Sequence, residues 1–197
     1  MAKKTSICVG VSSMAILSGL IVCGLLLVPD RTSAEDRAVA EFSTDGKLLR
    51  PEGYREWIFV GSPVTPHELN DGRSDFGQFR NVYVDRQSFN VYARSGKFPN
   101  GTVFVKEILS VGANTAPSGN GYFQGEYLAM LASVKSAAQF PNEPGNWAYF
   151  DFRYFPNLAS SARAKPTADC NACHAATAAE DWVFTQHWPV LRAAKPD

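Results

Sequence analysis

Between residues 56 and 155 the chain carries five segments rich in β-branched and aromatic residues, at 56–60, 81–84, 102–111, 122–134 and 147–155. Turn signals separate them: Pro99-Asn100-Gly101 and the Gly/Asn-rich stretch 114–121 join neighbouring strands. Asp85 is placed to cap a short helix ending at Gly96, with Phe89, Tyr92 and Ala93 on one face. After Phe155 the character changes. Residues 159–164 are small and polar, Pro166-Thr167 opens an Ala-rich stretch, and a last helix is expected over 180–194, interrupted near Pro189, with Trp182, Val183, His187 and Val190 at helical spacing. Residues 35–51 are polar and read as a loosely held arm. The sum is an α+β class: a mainly antiparallel β-sheet with flanking helices and a C-terminal helical segment.

The first residues read as an export signal. Lys3 and Lys4 precede a long apolar run, Pro29 breaks it, and Thr32-Ser33-Ala34 supplies small residues for cleavage. The run approaches membrane-spanning length, so an uncleaved anchor is the competing reading. The small-residue site favours cleavage after Ala34, giving a signal peptide at 1–34, a single domain at 35–197, a periplasmic location and no stable membrane insertion. Bulky Val22 before Cys23 argues against lipidation. Lys3, Lys4 and Arg31 leave with the signal, so basic residues fall from 19 to 16; Asp30 leaves too, so acidic residues fall from 19 to 18. The remaining chain of about 160 residues suits one domain with a proper core. Its near-neutral balance gives no sign of the basic surface that nucleic-acid binding needs.

Cys8 and Cys23 also leave, and the two remaining cysteines are three residues apart. That is no disulfide framework. Cys170-Asn171-Ala172-Cys173-His174 is the attachment pattern of a c-type haem: two thiols bond the porphyrin, and the adjacent histidine is carried under the iron as metal ligand. A redox CxxC is the alternative, but such a motif belongs between a strand and a helix near the front of an alternating pattern.

Strand parity then asks what shares a face with what. Along 102–109, Phe104, Lys106 and Ile108 share one side, while Val103, Val105 and Glu107 share the other. Taken by itself, Lys106 reads as a lysine snorkelling past its apolar neighbours to water. The alternative is an amine in a dry pocket, its pKa lowered, able to act as a nucleophile. On the long strand, Phe123, Tyr127, Ala129 and Leu131 share one side, and Gln124, Glu126, Leu128 and Met130 the other, unless a bulge swaps them.

At this level of detail the mature chain resembles the cytochrome P-460 family, haem proteins of ammonia-oxidising bacteria. The matching segments include Tyr54-Arg55-Glu56-Trp57, Val64-Thr65-Pro66, Glu68-Leu69-Asn70-Asp71-Gly72, Asn81-Val82-Tyr83-Val84-Asp85 and Asn100-Gly101-Thr102-Val103. Val105-Lys106-Glu107, Ser118-Gly119-Asn120-Gly121-Tyr122-Phe123, Pro141-Asn142-Glu143-Pro144-Gly145-Asn146-Trp147, the haem motif and Val183-Phe184-Thr185 complete them. The resemblance implies a homodimer of β-rich subunits, one five-coordinate haem in each, and a lysine nitrogen bonded to the porphyrin, for which Lys106 is in the matching place. The related cytochromes c′-beta lack that lysine and bind nitric oxide. The implied reaction is oxidation of hydroxylamine to nitrous oxide or nitric oxide, with a soluble cytochrome c as acceptor. Arg80 matches a distal arginine, with Phe76 and Phe79 beside it; a surface salt bridge is its other reading.

One departure stands out. Where active members carry a distal carboxylate, counting from Tyr122-Phe123 gives Leu131, which cannot accept a proton. Asp151 on the next strand is a possible substitute. His67, His187 and Met130 are the other candidate iron ligands, and each has a reason to stay away, leaving the sixth position open. The competing functions are a nitric-oxide-binding cytochrome of the c′-beta kind and a plain electron carrier.

Overall fold

The structure is a computed structural model and describes residues 39–74 and 77–196. The expected signal peptide and Phe76 therefore lie outside the described residues. Five strands form the main sheet: β2 (Ile58–Gly61), β3 (Phe79–Val84), β4 (Val103–Val111), β7 (Gln124–Lys135) and β8 (Trp147–Tyr154). They pair in the order β2-β3-β4-β7-β8, each antiparallel to its neighbour. A short hairpin, β5 (Thr115–Ala116) with β6 (Gly119–Asn120), occupies the Gly/Asn-rich turn. Helix α1 spans Arg86–Ser95, α2 Thr167–Thr177 and α3 Pro189–Ala194. The α+β reading holds.

Helix α1 starts and stops where its sequence says. Asp85 Oδ1 accepts from Ser88 N at 2.7 Å, which satisfies a helix N-terminal donor, and Oδ2 accepts from Val103 N at 2.9 Å. Gly96 closes the helix at φ 68°, a left-handed turn that costs glycine nothing.

Two expectations fail. The supposed loose arm holds a fully buried Leu48, and β1 (Leu48–Leu49) pairs with β9 (Ser161–Ala162), because Leu48 and Phe42 have a core to enter. The last helix is broken: Asp181 and Trp182 have φ of 47° and 59°, a 3-10 turn covers Thr185–His187, and only Pro189–Ala194 is α-helical. Two successive positive-φ residues cannot continue a right-handed helix.

The sheet is buried on both faces. One core gathers Val103, Val105, Met130, Ala132, Val134, Phe150 and Phe152 with Leu48 and Tyr54. The other gathers Val82, Val84, Phe104 and Trp147 beneath Tyr92, Phe98, Val183, Trp188 and Leu191. Adjacent residues of β4 thus serve different cores.

Glu107 is fully buried on the first face, one residue after Lys106. It accepts from Tyr54 OH at 2.7 Å and Arg55 Nε at 2.8 Å, and Tyr83 OH lies 3.4 Å away. Arg55 lies over the Tyr127 ring at 4.6 Å. This corrects the parity reading of β7. The pairing runs Ile108 with Ala129 but Leu109 with Tyr127, so Leu128 is an extra residue and Tyr127 turns to the Glu107 face, away from Leu131.

Candidate haem site

The antiparallel register builds one wall. Val82, Lys106, Leu131 and Asp151 pair successively across β3, β4, β7 and β8 and so form one cross-strand row on one face. Arg80 pairs with Ile108, one step along the same face. Phe79, next to Arg80, pairs with Leu109 and turns to the opposite face; it does not flank the arginine. Leu131 is half-buried and Asp151 exposed. Asp151 Oδ1 accepts from Arg153 N at 2.7 Å, where Arg153 takes φ 68° at a bulge in the β7–β8 pairing.

Helix α2 supplies the opposing wall and packs on β8. Cys170, Cys173 and His174 stand at i, i+3 and i+4, so all three share a helix face. The two cysteines form no disulfide; Cys170 is half-buried and Cys173 exposed. Asn171, 2% exposed within the motif, is the anchor: its Nδ2 donates to Glu143 Oε2 at 2.7 Å and to Trp147 O at 3.1 Å. Glu143 also accepts from Thr167 Oγ1 in the first turn of α2. Glu143 was not singled out in sequence, although it lies in the Pro-Asn-Glu-Pro-Gly-Asn-Trp run.

His174 is oriented from several sides. Its Nδ1 lies 2.7 Å from Trp182 O, a distance that calls for Nδ1–H as donor and leaves Nε2 as the lone-pair nitrogen. The rings of Tyr149 and Phe184 lie 4.7 and 4.6 Å from the imidazole. Burial, and then the charge of Lys106, lower its pKa, against the opposing bond to Trp182; the neutral, ligating form is favoured. Trp182 sits in a two-residue turn, with Glu180 bridging Val183 on either side. Both central residues are non-glycine at positive φ, each costing on the order of 1–3 kcal/mol.

Lys106 stands in the row of the first wall, near enough to both thiols for their charges to act on it. It is half-buried, its pKa is lowered chiefly by desolvation and then by Arg80, and the charges of Cys170 and Cys173 act the opposite way. Desolvation likewise lowers the pKa of Arg80, whose Nη2 donates to Thr65 Oγ1 at 3.3 Å. Burial raises the Cys170 thiol, with Lys106 pulling it back down. The other possible ligands lie elsewhere. Met130 is fully buried in the opposite core, His187 is exposed, and His67 Nδ1 accepts from Ser74 N at 3.1 Å beside a groove of about 340 Å³ lined by Glu68 and Tyr122. Among the described residues no cluster of three or more His, Cys, Asp or Glu could hold a bare metal ion.

Two thiols on one helix face, beside an imidazole with Nε2 available, match what a covalently held porphyrin requires. Fold and donor set together define a haem protein of the c-type class. The family model for Cytochrome P460 matches residues 51–185, and the chain belongs to that family. Membership brings a haem cofactor with it. No curated protein matches the chain. Among the described residues no helix is long and apolar enough to cross a membrane.

Proposed function

We propose that this chain is a periplasmic mono-haem cytochrome that oxidises hydroxylamine, its haem bonded to Cys170 and Cys173, ligated by His174 and cross-linked to Lys106. The observation that carries the reading is the row Lys106–Leu131–Asp151 on the sheet face opposed by α2. When bound, the haem supplies an iron able to take the substrate nitrogen and accept its electrons. The chain's own residues do the rest. Trp182 O holds the His174 ring so that Nε2 is the ligating atom. Burial keeps the Lys106 amine toward its neutral, nucleophilic form. Arg80 brings a cation to the same face. Leu131 cannot take a proton, so Asp151, its direct cross-strand partner, is assigned as the base that receives the proton of the bound substrate. Electrons pass to a soluble cytochrome c, and the working unit is a homodimer.

The half-buried apolar Leu131 beside Lys106 favours a second reading, a nitric-oxide-binding cytochrome with little turnover. One experiment separates the two. Hydroxylamine oxidation is followed with a dye acceptor in the wild type, Asp151→Asn, Leu131→Glu and the double variant, with the ferrous spectrum recorded for each. Asp151→Asn should lower the rate by about 100- to 10,000-fold, and Leu131→Glu in that background should restore it. An unchanged rate in Asp151→Asn removes Asp151 from the mechanism. Negligible wild-type turnover with retained nitric oxide binding establishes the second reading. A ferrous spectrum of ordinary c-type, unchanged in Lys106→Met, removes the cross-link.

A further inference from the structure

The turn that presents the Trp182 carbonyl to His174 has the wrong residues for its shape. Two central residues at positive φ, as in a type I′ turn, are normally Asn-Gly or a close equivalent. Here they are Asp181 and Trp182, and a bulky aromatic is among the poorest choices for that conformation. Something outside the turn must hold it.

Two contacts do so. The indole of Trp182 lies on Gly145, so closely that a Cβ there would overlap the ring. Asp181 Oδ2 accepts from Lys135 Nζ at 2.6 Å, and both side chains are mostly withdrawn from solvent, 18% and 23% exposed. Lys135 is the last residue of β7, where its N–H donates to Thr102 O and its C=O accepts from Gly101 N. Its ammonium also lies over the Trp147 ring at 5.9 Å. The ion pair therefore ties the turn to a rigid strand end, and through the turn it fixes the carbonyl that meets His174 Nδ1.

We propose that Lys135 and Asp181 are a positioning pair that sets the donor strength of the proximal histidine by holding the Trp182 carbonyl against it. The inference rests on the haem reading above. A well-aligned acceptor on Nδ1–H makes the imidazole a stronger donor through Nε2 and favours the ferric state. Loosening the turn weakens that bond, and the potential rises.

The test uses purified holoprotein. Asp181→Asn removes the charge, keeps the shape and tolerates positive φ; Lys135→Met keeps the stem; Lys135→Arg keeps the pair. Haem per chain is measured first, since a wild-type protein without covalent haem fails the functional reading and not this one. The ferric/ferrous midpoint is then measured by spectroelectrochemistry, and the ferrous iron–histidine stretch by resonance Raman. Asp181→Asn and Lys135→Met should each shift the equilibrium toward ferrous by up to about tenfold, ~59 mV for one electron. The stretch should fall with it, the double variant should shift no further than either single, and Lys135→Arg should stay at the wild-type value. Haem-loaded single variants with unmoved potential and stretch overturn the proposal, as do strictly additive shifts in the double variant.

Discussion

Arg55→Met removes the guanidinium that faces a carboxylate with no solvent access, while keeping most of the apolar stem. Glu107 is 0% exposed, and its Oε1 lies 2.5 Å from Arg55 Nη2. Stripping one partner from a fully buried ion pair costs ~3–5 kcal/mol, because the other charge stays behind uncompensated. Two features lower the figure here. The Arg55 side chain is 51% exposed, so water can enter its place and screen the charge. Tyr54 OH also continues to donate to Glu107 at 2.7 Å. The expected loss is about 2 kcal/mol. Glu107→Gln removes the charge that needs compensation, keeps an acceptor for Tyr54 and frees Arg55 toward water, so its expected loss is about 1 kcal/mol. The double variant should resemble Glu107→Gln alone. The assay is urea unfolding followed by circular dichroism at neutral pH, comparing midpoints at a common slope. Arg55→Met within about 0.5 kcal/mol of wild type would refute the reasoning, and so would strict additivity in the double variant. The result bears on function because Glu107 fixes the strand that presents Lys106.

Two further outcomes follow from other parts of the fold. Burial, and then the charge of Glu107, push Tyr83 up to about 12, above its ordinary 10. A raised folded pKa gives stability that is complete below pH 10 and lost as pH rises through 12, so urea midpoints should fall over that window and Tyr83→Phe should flatten the fall. An equally steep fall in Tyr83→Phe would show that Tyr83 plays no part. Gly145→Ala places a side chain at φ 62° and against the Trp182 ring; it should cost about 2 kcal/mol and lower haem loading, and wild-type values for both would show that the indole is not seated there.

Much of this architecture was legible in the sequence because its signals were local. Runs of β-branched and aromatic residues between turn signals marked the five strands of the main sheet, and Asp85 and Gly96 marked both ends of α1. The haem motif named its own chemistry. What escaped was set by tertiary structure. Nothing in Gln124–Lys135 marks Leu128 as an extra residue, since the bulge arises only from pairing with β4, and so Tyr127 fell on the wrong face. Asp181-Trp182 carries no turn signature, and its apolar neighbours repeat at helical spacing; the local pattern argued for helix while Lys135, Gly145 and His174 held a turn. Glu143 and Asn171 act through each other across 28 positions, a relation that spacing within one segment cannot express. Leu48 was masked by the polar residues around it.

The site depends on register more than on any single contact. Lys106 and Glu107 are neighbours on β4 with opposite requirements. The amine lies within electrostatic reach of the two thiols and the imidazole, and the carboxylate faces Arg55 and two tyrosines. A slip of one residue would exchange them, sending an ammonium into a core of valines and phenylalanines and a carboxylate toward the haem side. The chain guards against this at the first residue of the strand. Asp85 binds Val103 N with one oxygen and Ser88 N with the other, so the start of β4 and the start of α1 are held by one buried carboxylate. Burial raises its pKa, and its backbone donors act against that. The chemistry of Lys106 is therefore set three residues upstream, where Asp85 fixes which side chains of β4 point toward α2.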